Sequence, residues 1–238
     1  MLFDIHAHII PGVDDGADSY EEALTLLKAA RNNGIGAVIA TPHFYADMVS
    51  FEEYELETES RFNSLKQQAD GLPELFRGYE VRYFRGISTS EYTRRLTLNG
   101  SEYILVEFPY GEDITDRMLG DIEDIYYNMN ITPILAHIER YHKYNGFRNA
   151  LRLIDDGIAM AHINATSLTD QFKKTAIRLL EAEYVSVIAT DMHSADERPP
   201  VCDTALKEIE KQMGRSALLR LADNYDRLYN EIVLNKNK

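Results

Sequence analysis

The sequence contains one cysteine, few basic residues and no long apolar run, and each shortage excludes a class of protein. Cys202 is the only cysteine among 238 residues, so an intrachain disulfide framework is excluded and a reducing cytoplasm is expected. No stretch approaches the roughly 18 apolar residues that predict a membrane span, so we expect no membrane insertion. The chain enters a predicted strand at Leu2 without a preceding basic region, and we therefore expect no secretory signal.

The charge balance argues against nucleic acid as a partner. The chain has 25 basic and 39 acidic residues, which gives a net charge of −14, and no basic stripe offsets this excess. The same excess disfavours binding to anionic lipid.

We find no linker and no low-complexity segment, and α/β barrels often use this length as one domain, so residues 1–238 are expected to form a single domain.

Apolar, β-branched runs alternate with helical patterns, which predicts repeated β-α units around a parallel sheet. Right-handed repetition of this kind closes readily into a barrel with its active site at the C-terminal ends of the strands. The predicted strands number seven: Leu2–His6, Gly36–Thr41, Glu74–Val81, Tyr103–Phe108, Thr132–His137, Ala159–Asn164 and Val185–Thr190.

The predicted helices lie between these strands and beyond the last one. They cover Ser19–Asn33, Phe51–Ala69, Asp116–Asn128, Gly146–Asp156, Thr169–Ala182 and Asp203–Met213, with one or two further amphipathic helices over Ser216–Val233. Ser19 with Glu22 predicts a capping box at the first helix, and Gly34 predicts its end. Asn235–Lys238 is expected to be a frayed tail.

Five of the seven histidines occur where a predicted strand ends, and carboxylates recur at the same kind of position. These residues are His6, His8, His43, Glu80, Glu107, His137, Asp191 and His193. Imidazole and carboxylate groups are the ligands of zinc, manganese and iron. Because the C-terminal ends of parallel strands meet at one end of a barrel, the pattern predicts a multinuclear metal site there. The sixth strand ends in Asn164, which is expected at most to line the pocket.

The spacing of two histidine pairs adds to this prediction. His6 and His8 are two residues apart, so both point to one side of an extended segment and can bind one ion. Asp191 and His193 repeat that spacing, and the two pairs converge if the first and last strands are neighbours. A single histidine at a strand end is more often a hydrogen-bonded polar residue than a ligand, but the joint pattern favours metal.

The carboxylates have competing interpretations. An uncompensated carboxylate at Glu80 or Glu107 would be costly to bury, so each is either a surface charge, an arginine partner or a ligand that bridges two ions. Asp15 follows Pro11-Gly12 and is either part of an acidic turn or a ligand.

Two arginines follow the predicted ligands closely. Arg140 comes three residues after His137, and Arg198 comes five residues after His193. Each is either an ordinary surface arginine or, beside a metal cluster, a bidentate partner of phosphate oxygens. His162 is expected to be structural, because it lies within a predicted strand rather than at its C-terminal end.

Cys202 is not expected to be a nucleophile. Cysteine phosphatases need an arginine six positions after the cysteine, and Glu208 occupies that position here. The sequence also contains no nucleophile elbow and no glycine-rich nucleotide loop.

Seven blocks in order resemble the PHP (polymerase and histidinol phosphatase) superfamily: His6-Ala7-His8, Asp14-Asp15-Gly16, Thr41-Pro42-His43, Gly78-Tyr79-Glu80, Glu107-Phe108-Pro109, Ala136-His137-Ile138-Glu139-Arg140 and Asp191-Met192-His193. Within that superfamily, the segment from Ile9 to Ala17 and the block Arg198-Pro199-Pro200 are similar to CpsB-type tyrosine phosphatases of bacterial capsule and exopolysaccharide loci. The resemblance extends from the first residues to about Pro200.

This resemblance implies a distorted seven-stranded β/α barrel, TIM-like in design, with a trinuclear site usually credited to manganese. The implied ligands are His6, His8, Asp15, His43, Glu80, Glu107, His137, Asp191 and His193. The resemblance also implies phosphate binding by Arg140 and Arg198. The implied substrate is phosphotyrosine on a bacterial tyrosine kinase that controls polysaccharide export.

We therefore expect a metal-dependent phosphomonoesterase whose nucleophile is a water or hydroxide bridging two of three divalent ions. Manganese is the expected metal, and carboxylates and imidazoles also accept iron or zinc. His43 is a candidate general acid because it lies near the predicted metals. One alternative is a histidinol-phosphate phosphatase with the same superfamily site. An alternative of another class is a non-catalytic docking or regulatory module, although such a relic should have lost ligands.

Overall fold

The computed structural model describes residues 2–234, and these residues form an α/β fold built on parallel strands. The strands are β1 (Leu2–Ala7), β2 (Ile35–Ala40), β3 (His43–Phe44), β4 (Glu74–Arg77), β5 (Glu80–Arg82), β6 (Tyr103–Glu107), β7 (Thr132–Leu135), β8 (Met160–Asn164) and β9 (Val187–Ala189). The helices are α1 (Tyr20–Asn32), α2 (Phe51–Gln68), α3 (Asp116–Met129), α4 (Phe147–Asp155), α5 (Lys173–Glu181), α6 (Cys202–Met213) and α7 (Arg215–Tyr229), and a π-helical turn follows at Asn230–Leu234.

The strands form two sheets, and in each sheet the spatial order of the strands follows their order along the chain. One sheet has the order β1-β2-β4, and the other is a curled half-barrel of six strands in the order β3-β5-β6-β7-β8-β9. Within residues 2–234, the neighbouring strands of both sheets pair in parallel. The strands are buried and rich in Ile, Val, Leu and Ala, as expected when helices cover a parallel sheet. The predicted fold class is therefore confirmed as far as a curled parallel α/β sheet.

One predicted strand is interrupted, so the prediction of a continuous strand was wrong there, and another is followed by a short strand that was not predicted. The predicted strand Gly36–Thr41 is observed as β2, and β3 follows it after a gap at Thr41-Pro42, where proline has no N–H to donate to a neighbouring strand. The third predicted strand, Glu74–Val81, breaks at Gly78-Tyr79. A side chain at Gly78 would put a Cβ 2.8 Å from Leu98 Cδ2, so the backbone approaches a neighbour that only glycine permits.

Backbone hydrogen bonds continue across these interruptions and between the first and last strands. Gly78 N donates to Ala40 O at 2.9 Å, and Glu80 N donates to Pro42 O at 3.1 Å. At the other edge, Asp191 N donates to His6 O at 2.9 Å. The residues just after β1 and β9 are therefore held beside each other, as the sequence predicted for the two histidine-containing pairs.

The helix boundaries mostly follow the predicted local signals. Ser19 Oγ accepts a hydrogen bond from Glu22 N at 3.2 Å, which caps α1 as predicted. The Glu22 carboxylate bonds Asp18 N rather than Ser19 N, so the reciprocal half of the capping box is shifted by one residue. Gly34 adopts a φ of +80° immediately after the helix, as predicted for its end.

The start of α5 was predicted too early. The helix begins at Lys173 rather than Thr169. Asp170 Oδ1 instead accepts a hydrogen bond from Phe172 N at 2.7 Å, a local bond that competes with the helical pattern.

The structure bears on the predicted absence of a membrane span but not on the predicted frayed tail. That tail, residues 235–238, lies outside the described residues. Within residues 2–234, no helix combines the length and the apolar character that a membrane crossing requires.

Candidate metal centre

The end of β1 supplies two imidazoles that face one another. His6 and His8 are fully buried, and their Nε2 atoms lie 3.0 Å apart. This contact is the geometry predicted from their spacing in an extended segment. His8 is further fixed by Asp14, whose Oδ2 lies 2.7 Å from His8 Nδ1. Asp14 thereby directs the other nitrogen of His8, Nε2, towards the centre.

Glu80 is the carboxylate that contacts most of the imidazoles. Its Oε2 lies 3.1 Å from Nε2 of both His6 and His8 and 3.0 Å from Nδ1 of His43. Its Oε1 lies 2.9 Å from Nε2 of His137. Burial opposes ionisation of Glu80, but the neighbouring imidazoles outweigh it and hold the pKa of Glu80 well below its usual range.

Asp191 faces Glu80 across the two imidazoles of the β1 end. Its Oδ1 lies 3.3 Å from His6 Nε2 and 3.4 Å from His8 Nε2. Its Oδ2 accepts a hydrogen bond from Asn164 Nδ2 at 2.6 Å. Burial opposes the charge on Asp191, but His6 in particular holds the pKa of Asp191 well below its usual range.

An outer group lies towards solvent. Asp15 Oδ1 is 3.5 Å from Nε2 of His43 and 3.5 Å from Nε2 of His193. The Asp15 side chain is 67% exposed, whereas His193 is nearly buried. The segment that carries Asp15 packs closely on β1, because a Cβ at Gly16 would lie 2.2 Å from His8 O. Asp15 is thus largely exposed and also lies close to two of the histidines.

Glu107 and His137 complete the convergence. His137 Nε2 lies 3.5 Å from Glu107 Oε1, and His43 Nδ1 lies 4.0 Å from Glu107 Oε2. Burial and the nearby charge of Glu80 raise the pKa of Glu107 to about 7. Burial and Arg140 lower the pKa of His137 to about 4. Ligand atoms of Glu80 and Glu107 lie within 4.8 Å of each other, so a proton or a cation between the two carboxylates would relieve their repulsion.

The ligand-type atoms fall into three overlapping groups, each with its atoms within 4.8 Å of one another. The groups are His8, Asp15, His43 and His193; His6, His8, Glu80 and Asp191; and His43, Glu80 and Glu107. His8, His43 and Glu80 each belong to two groups. His137 belongs to none of the three, but its contact with Glu80 and Glu107 places it beside the third.

The donor set is suited to divalent metal. Two nitrogen or oxygen ligands, each about 2.0–2.2 Å from one ion, are roughly 3–3.5 Å apart, and most contacts between the histidines and carboxylates of the cluster are within this range. Several buried ring and carboxylate atoms of the cluster also lack a hydrogen bond within residues 2–234: His6 Nδ1, His43 Nδ1, Glu80 Oε2, His137 Nδ1 and His193 Nε2. Buried polar atoms rarely remain without a partner, so this concentration points to cations.

Two of the residues in the cluster have unusual backbone conformations. Asp191 has a φ of +51° and His137 a φ of +31°, in the left-handed region that non-glycine residues seldom adopt. Such strain costs of order 1–3 kcal/mol per residue and concentrates at functional sites. Each residue comes two positions after the end of a strand, β7 or β9, and its side chain contacts the cluster.

The two predicted arginines reach the same carboxylate from the solvent side. Arg140 Nη2 lies 3.1 Å from Asp191 Oδ2, and Arg198 Nη2 lies 2.5 Å from it. Their side chains are 26% and 36% exposed, so both guanidinium groups border the cluster and remain accessible. Both arginines therefore lie at the solvent side of the cluster, in contact with one of its carboxylates.

Sequence reasoning missed two acids beside the cluster, Asp14 and Glu139. Asp14 orients His8 and also accepts a hydrogen bond from His43 N at 3.0 Å. Glu139 is fully buried, and its Oε1 accepts hydrogen bonds from Ser167 Oγ at 2.6 Å and Asn164 N at 3.1 Å. The pair Asp14-Asp15 was a signal for Asp14, whereas Glu139 follows no strand-end pattern. His162 accepts a hydrogen bond from His137 N at 2.9 Å, the structural role predicted for it.

Comparison with known proteins points in one direction. A family model for capsular polysaccharide synthesis proteins, CpsB/CapC, matches residues 2–228. Tyrosine-protein phosphatase CpsB of Streptococcus pneumoniae is 33% identical over 227 residues, which cover 90% of this chain and 91% of that protein. Tyrosine-protein phosphatase YwqE of Bacillus subtilis (strain 168) is 29% identical over 237 residues, 95% of this chain and 91% of that one.

Solved structures give the same result. One of the crystal structures of YwqE from Bacillus subtilis and CpsB from Streptococcus pneumoniae, described as unique metal-dependent tyrosine phosphatases, superposes with a TM-score of 0.82. It is 27% identical, and the match covers 97% of this chain and 94% of that one. A β-aspartyl dipeptidase from Fervidobacterium islandicum, 16% identical with a TM-score of 0.59, shares the fold alone. The chain belongs to the CpsB/CapC family.

Proposed function

We propose that this chain is a metal-dependent phosphomonoesterase that hydrolyses phosphotyrosine in proteins. The observation that carries the proposal is the overlap of three ligand groups through His8, His43 and Glu80, with two arginines at their open side. The family relatives named as tyrosine-protein phosphatases support the choice of substrate class.

We propose nine ligands for three divalent ions: His6, His8, Asp15, His43, Glu80, Glu107, His137, Asp191 and His193. Three overlapping groups support three ions, because the shared residues can each serve two of them. The mixture of imidazoles and carboxylates suits manganese, and also iron or zinc. Ions bound there would supply a nucleophile at neutral pH and would neutralise charge on the phosphoryl group.

The chain's own residues would position and discriminate the substrate. Arg140 and Arg198 would exchange their contact with Asp191 for charge-assisted hydrogen bonds to phosphoryl oxygens. Asp14 would keep His8 in one orientation, with Nδ1 occupied and Nε2 free for a ligand role.

A leaving phenolate has a pKa near 10, so tyrosine needs less protonation from a general acid than an alkyl alcohol does. His43 is the candidate general acid. Both of its ring nitrogens face carboxylates of the cluster, which supports a ligand role at least as well.

We also propose that the strands close into the distorted seven-position barrel expected from the sequence, formed by one domain over residues 1–238. The hydrogen bonds across Thr41-Pro42 and Gly78-Tyr79 support counting β2 with β3 and β4 with β5 as one position each. The bonds His8 N to Met192 O and Asp191 N to His6 O support closure between the first and last positions.

The proposed physiological partner is a bacterial tyrosine kinase of a capsule or exopolysaccharide system. The family's description as capsular polysaccharide synthesis proteins supports the pathway. Two arginines at an accessible mouth support a substrate that enters from a protein segment, because neither guanidinium group is enclosed.

Hydrolysis assays after metal analysis test this function. The purified protein should contain bound divalent metal and should dephosphorylate several unrelated phosphotyrosine peptides, with little activity on phosphoserine peptides. Prolonged chelation should abolish the activity, and manganese should restore it. Full activity in protein verified to be free of metal would refute the proposal. Histidinol phosphate turning over about a hundredfold more efficiently than every peptide, about 2.7 kcal/mol in transition-state binding, would establish the alternative enzyme.

A further inference from the structure

A second pocket opens directly beyond the candidate metal centre. Its volume is about 300 Å³, and its lining includes Tyr45, Asp47, Arg82, Phe84, Arg85 and Pro109. We call this cavity the outer pocket. At this volume it is at the small end of ligand sites, which range over about 300–1,000 Å³, and it can admit a side chain more readily than a second substrate.

The outer pocket is the next layer of side chains above the proposed ligands. Tyr45 comes two residues after His43, Arg82 two residues after Glu80, and Pro109 two residues after Glu107. Residues two apart in extended strands point to the same side. Ring stacking confirms the adjacency, since the rings of His43 and Tyr45 have centroids 5.1 Å apart at an interplanar angle of 25°.

The arginines of the outer pocket are available for a ligand. Among residues 2–234, no carboxylate oxygen lies within 4.0 Å of either guanidinium group, whereas Arg77 and Arg95 are ion-paired with Glu59 and Glu55. The guanidinium carbon of Arg82 instead lies 5.6 Å from the centroid of the Tyr45 ring. That cation–π contact fixes its direction while leaving its N–H donors free.

The charge of the pocket opposes that of the whole chain. Two arginines and one aspartate line it, in a chain with a net charge of −14. The negative charge of the protein as a whole would repel an acidic peptide. A cationic pocket beside the reaction centre would therefore favour peptides whose acidic residue lies at the position that reaches the pocket.

We propose that the outer pocket binds an anionic side chain of the substrate, a carboxylate or a phosphate, within about three residues of the phosphotyrosine. This inference rests on the proposed function and adds the substrate's local sequence to it. The distance limit follows from the pocket's contact with His43 and from the roughly 3.3 Å that each residue of an extended peptide spans. Arg82 is the principal specificity residue, and Arg85 extends the positive charge at the exposed edge.

Matched peptides test the proposal. Each pair contains one phosphotyrosine and either Glu or Gln at one position from three residues before it to three residues after it. For at least one position the wild-type protein should prefer Glu about three- to tenfold in kcat/KM, mainly through KM. Phosphoserine placed at the preferred position distinguishes the two anions, since a larger preference than for Glu identifies phosphate and a smaller one identifies carboxylate.

Variants assign the preference to the pocket. Arg82→Gln should remove it, Arg82→Lys should retain part of it, and the loss of kcat/KM should be larger for acidic peptides than for p-nitrophenyl phosphate, which has no flanking residues. Metal content should match the wild type in each case. Arg220→Ala is the matched control, because Arg220 pairs with Glu183 ahead of β9, at the opposite end of the strands. If Arg82→Gln fails to fold, Arg85→Gln should still reduce the preference.

The two proposals fail in different ways. Wild-type protein that hydrolyses no aryl phosphate after manganese loading would refute the proposed function. Protein that hydrolyses all peptides but shows no preference for Glu over Gln, or that keeps the preference in Arg82→Gln, would overturn only the role of the outer pocket.

Discussion

Two pairs of buried acids in this molecule have opposite surroundings. Glu80 contacts imidazoles, Asp191 contacts imidazoles and two arginines, and the pKa of each is held well below its usual range although burial opposes this. Asp4 and Glu139 are equally buried, but burial prevails and raises their pKa values to about 6 and about 7. The same residue types at similar depth thus have opposite tendencies to ionise.

The difference lies in the neighbouring donors. Asp4 accepts hydrogen bonds from Thr190 N at 3.0 Å and Thr190 Oγ1 at 2.5 Å, and Glu139 accepts them from Ser167 and Asn164. These are neutral donors, which stabilise a carboxyl group without demanding a cation. Glu80 and Asp191 instead share space with several imidazole nitrogens that are themselves electron-pair donors when neutral. The acids among hydroxyl and backbone donors need no cation, whereas the acids among imidazoles are those that we propose as metal ligands.

The largest expected effect on activity is that of Asp191→Asn, and Asp4→Asn is its matched counterpart among the acids with neutral donors. Asp191→Asn removes the negative charge that faces His6 and His8, so at least one ion should be lost along with nearly all hydrolysis. The loss should exceed the roughly 10- to 100-fold that changes to ligand-orienting partners cost. Asp4→Asn keeps a neutral acceptor near Thr190 and should retain its metals, with a stability change within about 1.5 kcal/mol.

Metal analysis and thermal denaturation of both variants decide the matter. Equal loss of metal in Asp4→Asn and Asp191→Asn would show that the two kinds of buried acid are not distinct. Normal metal content in Asp191→Asn would remove that residue from the proposed ligand set.

The second prediction concerns the arginines that contact Asp191. Arg140→Ala and Arg198→Ala should retain bound metal but lose phosphate affinity and rate. Charge-assisted hydrogen bonds contribute roughly 1.5–3 kcal/mol each, so catalytic efficiency should fall by about ten- to a hundredfold or more. Wild-type kinetics in both variants would exclude the proposed phosphate clamp, and loss of metal would reassign the arginines to holding Asp191.

Asp14 tests whether a residue outside the proposed ligands controls them. Asp14→Asn keeps the size of the side chain but weakens its hold on His8, whose pKa is raised well above its ordinary value by Asp14 against the effect of burial. Metal affinity should fall by roughly 10- to 100-fold, and excess manganese should restore most of the activity. Activity that stays low at saturating manganese would indicate a role beyond positioning His8.

The sequence was sufficient for features that depend on local geometry. Alternation along a strand predicted that His6 and His8 face one another, and the parallel arrangement predicted that β1 and β9 present their pairs together. Gly34 and Ser19 marked the ends of α1 through local bonds. The assignment of the nine residues as ligands stays a prediction, but their side chains converge as the strand-end pattern requires.

Features that depend on contacts between distant segments could not be predicted in this way. Asp14 reaches His8 only because Gly16 lets the loop pack against β1, and Glu139 is held by Ser167 and Asn164 from another β-α unit. The break at Gly78 arises from close packing against Leu98, which is twenty residues later in the chain. Such contacts are set by tertiary packing, and they override the apolar pattern of the strand.

The smallest expected effect on activity comes from substitution of Cys202, a buried residue that, like Asp4, is not one of the proposed metal ligands. The thiol is buried at the start of α6, and burial together with the charge of Asp4 raises its pKa, so it is a thiol and not a nucleophile at neutral pH. Cys202→Ser should leave metal content and phosphotyrosine hydrolysis unchanged. It should lower the free energy of unfolding by about 1–3 kcal/mol, because a hydroxyl at this site is buried without an assured partner. Cys202→Ala, which buries no polar atom, is the control and should be the more stable of the two. A loss of hydrolysis in Cys202→Ser with metal content and stability intact would show that the region around Asp4 and Cys202 contributes to catalysis. It would contradict the separation of the buried acids into a structural pair and a metal-centre pair.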